Sequence, residues 1–446
     1  MSGAIVGALA CQRNSFLFDG FKATVVSCEK AAPLSKKSAK KTGDEGAGYD
    51  VELSDTILFP EGGGQPSDTG SLLVEGRDTP LVVSQVSRQG LRALHRVSSP
   101  VEVGTAVTLS VDKKRRFDFM QQHTGQHLLS ALLEQKYSLD TLSWSMATPD
   151  GEVQEPSSLL NFIELPKRLT PAQVDEINNL ANEYIMMNPQ GIKVSESQPA
   201  ELDETSKIPD DYDFGSGVVR TVHIGTLDAN QCCGTHLAST AQIGSLVVFA
   251  AGQTTVRSTN SRLYFTCGTR VSRYASLASD VLAETKQTLS CSETQLAEGA
   301  GKLKAQLVQR TKGEQFWARL GATQDAERIA KKLSDDTWAS LLRDEYCGQE
   351  YLNLVYKELA VALKERDDSK PYRAVLAGYD KAAGAAAVVV VADSGEGIEE
   401  AVGLVTAVIP QVRGGGGKKG GKWQGKATAV TAAQWTALCE AVKGRK

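Results

Sequence analysis

The chain has 446 residues, 41% hydrophobic and 23% charged, with a formal net charge of −4. That length predicts two or three domains, and the composition is that of a soluble globular protein rather than a disordered or fibrous one. Weak net acidity argues against a wholesale polyanion binder and leaves that role to local basic patches.

The eight cysteines show no disulfide rhythm, so a reducing compartment is favoured. The short apolar run at 4–10 has no basic residues ahead of it and is far below membrane length, so it reads as the start of a folded domain. A cytoplasmic protein without membrane contact is expected.

From Ala4 to Val111 apolar and polar residues alternate in short runs separated by turn signals, which predicts a β-rich, barrel-like domain over 1–111. The polar segment 36–48 reads as a loop. Within this domain lies FPEGGGQPSDTG, Phe59 to Gly70. Three consecutive glycines, Gly62, Gly63 and Gly64, exclude a strand interior or a helix and make a loop whose backbone can approach a ligand closely. The segment fits neither common nucleotide-binding glycine pattern.

A basic run, Lys113 to Arg116, precedes apolar residues at helical spacing from Phe117 to Leu133. The run suits a solvated charge cluster or a polyanion contact. His123 and His127, in HTGQH, fall on this predicted amphipathic helix, and four-residue spacing puts them about 6 Å apart on one face. A second pair, Cys232 and His236 in CCGTH, lies in the link between the predicted strands 218–224 and 243–250. Three of the five histidines thus sit in two complementary pairs. Together with a cysteine they point to one zinc ion per chain. Spacing selects Cys232 rather than Cys233 as the ligand. The zinc-protease pattern requires a glutamate after the first histidine, and Thr124 stands there instead.

A helix with a start signal at Thr170-Pro171 and further strands complete an α+β domain over 112–268. From 269 to 345 the sequence predicts a helical connector, and over 346–446 an α/β module. Its tail, QVRGGGGKKGGKWQGKATAV, is basic. Lys418, Lys419, Lys422 and Trp423 suit a phosphate-contacting surface with a stacking residue, and a flexible linker is the alternative.

Taken in order, PEGGGQPSD, RRFDFMQQHTGQHLLSALL, VRTVHIGTLDANQCCGTH and GGGGKKGGKWQGKA resemble the editing half of alanyl-tRNA synthetase. They are still more similar to the free-standing alanyl-tRNA editing proteins of the AlaX type, in the long eukaryotic cytosolic form with a C-terminal module. The resemblance implies an ATP-independent, zinc-dependent hydrolase that deacylates mischarged tRNA(Ala), seryl-tRNA(Ala) above all. About sixty residues precede the glycine motif, which leaves no room for amino-acid activation and predicts editing in trans. The family also implies that a threonine near the glycine motif reads the seryl hydroxyl, which here is Thr56. Gln126 is expected to orient water, and Gly62 to Gly64 to receive the substrate backbone. The family motif usually reads C-G-G-T-H; Cys233 replaces its first glycine. Four protein ligands resemble a closed structural site, so zinc either exchanges one ligand or positions the ester. The competing reading is a non-catalytic, zinc-stapled adaptor for tRNA or protein. Oligomeric state is left open.

Overall fold

The computed structural model describes residues 3–31, 48–149, 153–197, 218–256, 259–345, 347–365, 370–417, 419 and 421–445. The predicted loop at 36–48, apart from Gly48, and Lys418 lie outside them. The chain forms two compact units, Met1–Gln287 and Thr288–Lys446.

The first unit opens with a short helix, α1 (Ala10–Arg13), and seven strands: β1 (Phe21–Lys30), β2 (Tyr49–Leu53), β3 (Gly70–Val74), β4 (Leu81–Val83), β5 (Gln85–Gln89), β6 (Arg92–Val97) and β7 (Ala106–Val111). They pair antiparallel in the order β4-β3-β7-β1-β2-β6-β5. The edge strands β4 and β5 are separated only by Ser84, whose N–H donates to Arg96 O in β6. The sheet therefore curls nearly shut, as the alternating pattern predicts. Alternate residues point inward: Val51, Leu53, Leu72, Val83, Val86 and Leu109 fill the interior.

Helix α2 (Lys113–Tyr137) follows, capped by Asp112, whose carboxylate accepts from Lys114 N and Arg115 N. Its apolar side, Met120, Leu128, Leu129, Leu132 and Leu133, forms a second core. That core is shared with α3 (Pro171–Met186) and a sheet of β8 (Ser143–Ser145), β9 (Asn161–Leu165), β13 (Leu246–Val256) and β14 (Asn260–Cys267). A separate sheet joins β10 (Ile192–Ser197), β11 (Val219–Ile224) and β12 (Asp228–Gln231). The helix is more than amphipathic. Its polar residues Gln122, His123, Thr124, Gln126 and His127 are buried as well.

The basic run is largely structural. Arg116 is fully buried and ion-paired with Asp68, also donating to Ser15 O and Ile57 O. Asp68 in turn accepts from Phe59 N at 2.6 Å, which anchors the base of the glycine loop. Arg115 lies over the Phe119 ring and Lys113 over Phe18. The region predicted as one helical connector begins with α4 (Thr269–Leu289), which ends before Ser290, a residue with a φ of 49°.

In the second unit α5 (Leu296–Asp335) buries residues only from Ala322 onward. A five-stranded sheet of β15 (Trp338–Arg343), β16 (Arg373–Asp380), β17 (Ala385–Ala392), β18 (Arg413–Gly416) and β19 (Gly421–Ala427) runs β15-β16-β17-β19-β18. Only β15 and β16 are parallel. Helices α6 (Gln349–Lys364), α7 (Gly395–Val408) and α8 (Ala432–Lys443) complete the module. The glycine-lysine tail is therefore a β-hairpin rather than a linker. Trp423 is a core residue, not an exposed stacking surface, because its ring lies across the hairpin where a Cβ on Gly425 would come within 2.4 Å of it. Lys422 donates to Asn353 Oδ1 and sits over the Tyr356 ring, whereas Lys419 is exposed.

Candidate metal centre and cavity

His123 and His127 project from one face of α2, and the loop after β12 brings Cys232 and His236 to meet them. The four ligand atoms lie within 4.8 Å of one another. Cys232 Sγ is 3.3 Å from both His123 Nε2 and His236 Nε2. Donors on a tetrahedral zinc stand roughly 3.3–3.6 Å apart, a spacing these two contacts match, and the Cys-His₃ donor chemistry suits that ion.

The outer nitrogens are held too. Gln65, at the end of the glycine motif, accepts from His123 Nδ1 at 2.8 Å and from Thr235 N at 3.0 Å, and its amide donates to Thr235 Oγ1. Asp228 Oδ2 faces His127 Nδ1 at 3.3 Å. Thr124 Oγ1 is 3.5 Å from His236 Nδ1 and accepts from Leu237 N. Each histidine thereby turns its Nε2 toward the cluster, the arrangement that fixes tautomer and aim in metal sites.

Backbone geometry shapes the loop. A Cβ on Gly234 would stand 2.2 Å from His123 Cε1, so only glycine lets the ring pack there. Arg220, buried in β11, donates to the carbonyls of Cys232, Gly234 and Gln12, and Gln12 Nε2 donates to Cys233 O.

Electrostatics distinguish the two cysteines. Burial opposes charge on Cys232, but the His123 and His236 imidazoles outweigh it and hold the thiol well below its usual value. Cys233 is shifted upward, by burial first and then by the neighbouring Cys232, and its sulfur is outside the cluster. Burial pulls His127 down, yet hydrogen bonds to Asp228 and Cys232 bring it up to about 9. Burial takes His236 down to about 3. A thiolate beside a protonated imidazole is a donor set in which a cation replaces the proton.

The cluster opens into a cavity of about 790 Å³. One wall is a single face of α2: His123, Gln126, His127, Ser130 and Glu134. The glycine hairpin forms another. Gly62 and Gln65 exchange both backbone hydrogen bonds around Gly63 and Gly64, which have φ of 59° and 81°. Trp144 packs against Gly64, where a Cβ would come within 2.6 Å of the indole, and lies 4.7 Å from the His123 ring.

The predicted site residues separate at this point. His123, His127, Cys232, Gln126 and Gly62 to Gly64 line the cavity, His236 completes the four-donor cluster without lining it, and Thr56 does not line it. Its hydroxyl lies inside the barrel, 2.8 Å from His95 Nε2, and accepts from Leu58 N. Lys419 and Lys422 belong to the other compact unit. Gln65, Asp228 and Trp144 were not singled out from sequence. Gln65 stood inside a motif already noted, whereas Asp228 and Trp144 carry no local pattern.

Residues 219–264 match the family described as "Threonyl and Alanyl tRNA synthetase second additional domain". As a whole the chain belongs to the alanyl-tRNA editing protein family. It is 46% identical, over 99% of its length and 97% of the relative's, to a Saccharomyces cerevisiae protein provisionally named alanyl-tRNA editing protein alaX. Identity to the Mus musculus alanyl-tRNA editing protein Aarsd1 is 30%, covering 95% of each chain. With the alanine–tRNA ligase of Pyrococcus furiosus it shares 28% identity over 56% of this chain and 27% of that one. Among the described residues no helix is long and apolar enough to cross a membrane.

Proposed function

We propose that the chain hydrolyses the aminoacyl ester of mischarged tRNA(Ala), seryl-tRNA(Ala) in particular, acting in trans and without aminoacylation of its own. The observation that carries this reading is the opening of the four-donor cluster onto a glycine-walled cavity in a chain that matches editing proteins along nearly its full length. A synthetase pocket built for alanine rejects serine by only about a hundredfold, because an added hydroxyl costs little to admit. A second site that selects the hydroxyl removes the error.

Cys232, His123, His127 and His236 would hold one zinc ion, which when bound supplies a Lewis acid for water or the ester carbonyl. Water adds to the ester carbonyl carbon, the bond to the ribose oxygen breaks, and that oxygen takes a proton to give free serine and tRNA. Gln126, on the same cavity wall as His123 and His127, would orient the attacking water. The Gly63 and Gly64 N–H groups make no backbone hydrogen bond at the hairpin tip and can bind the substrate's ribose or backbone oxygens. Thr56 bonds to Leu58 N and His95 behind the hairpin and supports the wall from inside the barrel. The exposed Lys419 adds a phosphate contact.

The test is deacylation of seryl-tRNA(Ala) and alanyl-tRNA(Ala) by the native chain and by His123→Ala. The native chain should release serine, spare alanine, and lose activity on substitution. Equal, negligible turnover by both proteins would leave the zinc-stapled adaptor standing.

A further inference from the structure

We infer that the exposed first half of α5 is a self-association surface, on which a second copy of this chain lies antiparallel. The helix belongs to the compact unit that does not hold the four-donor cluster.

α5 packs on its own module only from Ala322 onward, through Ala322, Ala326, Ile329 and Leu333. Ahead of that point residues 296–321, roughly 39 Å of helix, contain no buried residue. Four glycines weaken this stretch as a helix on its own, and helices are held chiefly by the packing of one face. The face is present and uncovered: Leu307 is 66% exposed and Trp317 67%. It is also ordered in sequence. Leu303, Leu307, Arg310, Glu314, Trp317 and Gly321 recur at alternating intervals of four and three, the seam of a two-stranded coiled coil.

Charge selects the occupant and its direction. Arg310 and Glu314 sit in the middle of the seam, both exposed, and among the described residues neither has an ion-pair partner. In a parallel pair each would meet its own copy, like charge against like. In an antiparallel pair with its two-fold axis at residue 312, Arg310 meets the partner's Glu314 and Glu314 meets the partner's Arg310. The same register sets Leu307 against the partner's Trp317, and Leu303 against the partner's Gly321, a large side chain facing none. Every contact occurs twice, as an isologous interface requires. The next seam positions, Gln324 and Arg328, are exposed as well, so the module leaves room for the start of the second helix. Lys302, Lys304, Lys312 and Arg319 point off the seam at helical spacing and stay solvated.

The experiment is sedimentation equilibrium of the full chain across the micromolar range. It compares native protein, Leu307→Asp, Arg310→Glu, Glu314→Arg and the double exchange Arg310→Glu with Glu314→Arg, with near-ultraviolet circular dichroism to check folding. The native chain should be a dimer and Leu307→Asp a monomer. Each single reversal should raise the dimer dissociation constant about tenfold or more, and the double exchange should return it to near native. A monomeric native chain, a dimer indifferent to Leu307→Asp, or a double exchange no tighter than the single reversals overturns the inference. Reversals that change only the affinity for tRNA would overturn it too, and would make the arm a polyanion surface.

Discussion

Replacing Gln65 with alanine removes three hydrogen bonds at once: the acceptor for His123 Nδ1, the acceptor for Thr235 N, and the donor to Thr235 Oγ1. Thr235 is completely buried, so its orphaned N–H costs about 1–3 kcal/mol of folding stability. The effect on metal is separate. Without Gln65 the His123 ring loses the partner that fixes its tautomer and turns Nε2 to the cluster. Loss of such a partner typically weakens metal binding about 10–100-fold, or about 1.4–2.7 kcal/mol. Competition with a chromophoric chelator measures the zinc affinity, and urea unfolding of the metal-free protein measures stability. Gln65→Glu keeps both acceptors and loses only the donor, so it should retain most of the affinity. Zinc affinity within twofold of native in Gln65→Ala would refute the assigned role of Gln65.

Four further outcomes are expected. Cys232→Ala should abolish stoichiometric zinc, while Cys233→Ala retains it; elemental analysis of the two proteins decides, and the reverse pattern would reassign the ligand. Asp68→Asn leaves Arg116 buried without its counter-ion and should cost about 3–5 kcal/mol in denaturant unfolding. His95, near 4 when folded against 6.5 unfolded, binds a proton more readily in the unfolded chain, so stability falls as pH drops through that window, by about 2 kcal/mol between pH 7 and 5. His95→Gln should flatten the profile, and an identical slope in the two proteins would count against this assignment. Lys419→Glu should weaken tRNA binding and reduce the slope of log K against log salt by about one if this exposed lysine contacts phosphate.

The four-donor cluster was legible because helical spacing and the loop pair are local patterns that need only one tertiary assumption, that they meet. The near-closed sheet was legible from alternation, as in β6 and β7, whose buried residues recur at every second position. Asp228 and Trp144 were not, since their roles depend on where β12 and the edge strand β8 lie in space. The glycine-lysine tail misled for a physical reason. Glycines that permit a loop also permit an indole to lie flat on a hairpin, and β18 and β19 use them in the second way. Removing Arg413 to Lys446 would strip Trp423, Trp435 and Leu438 from a core, so a point charge tests the surface better than a truncation. Arg116 illustrates the same limit, because a run of four basic residues gives no sign that its last member is fully buried against Asp68.

The most direct measurement is serine release from seryl-tRNA(Ala) by the full chain as isolated, after chelation, and after one equivalent of zinc is returned, with circular dichroism recorded at each stage. The account predicts loss of hydrolysis on chelation and recovery on zinc return. Undiminished hydrolysis by metal-free protein would contradict it.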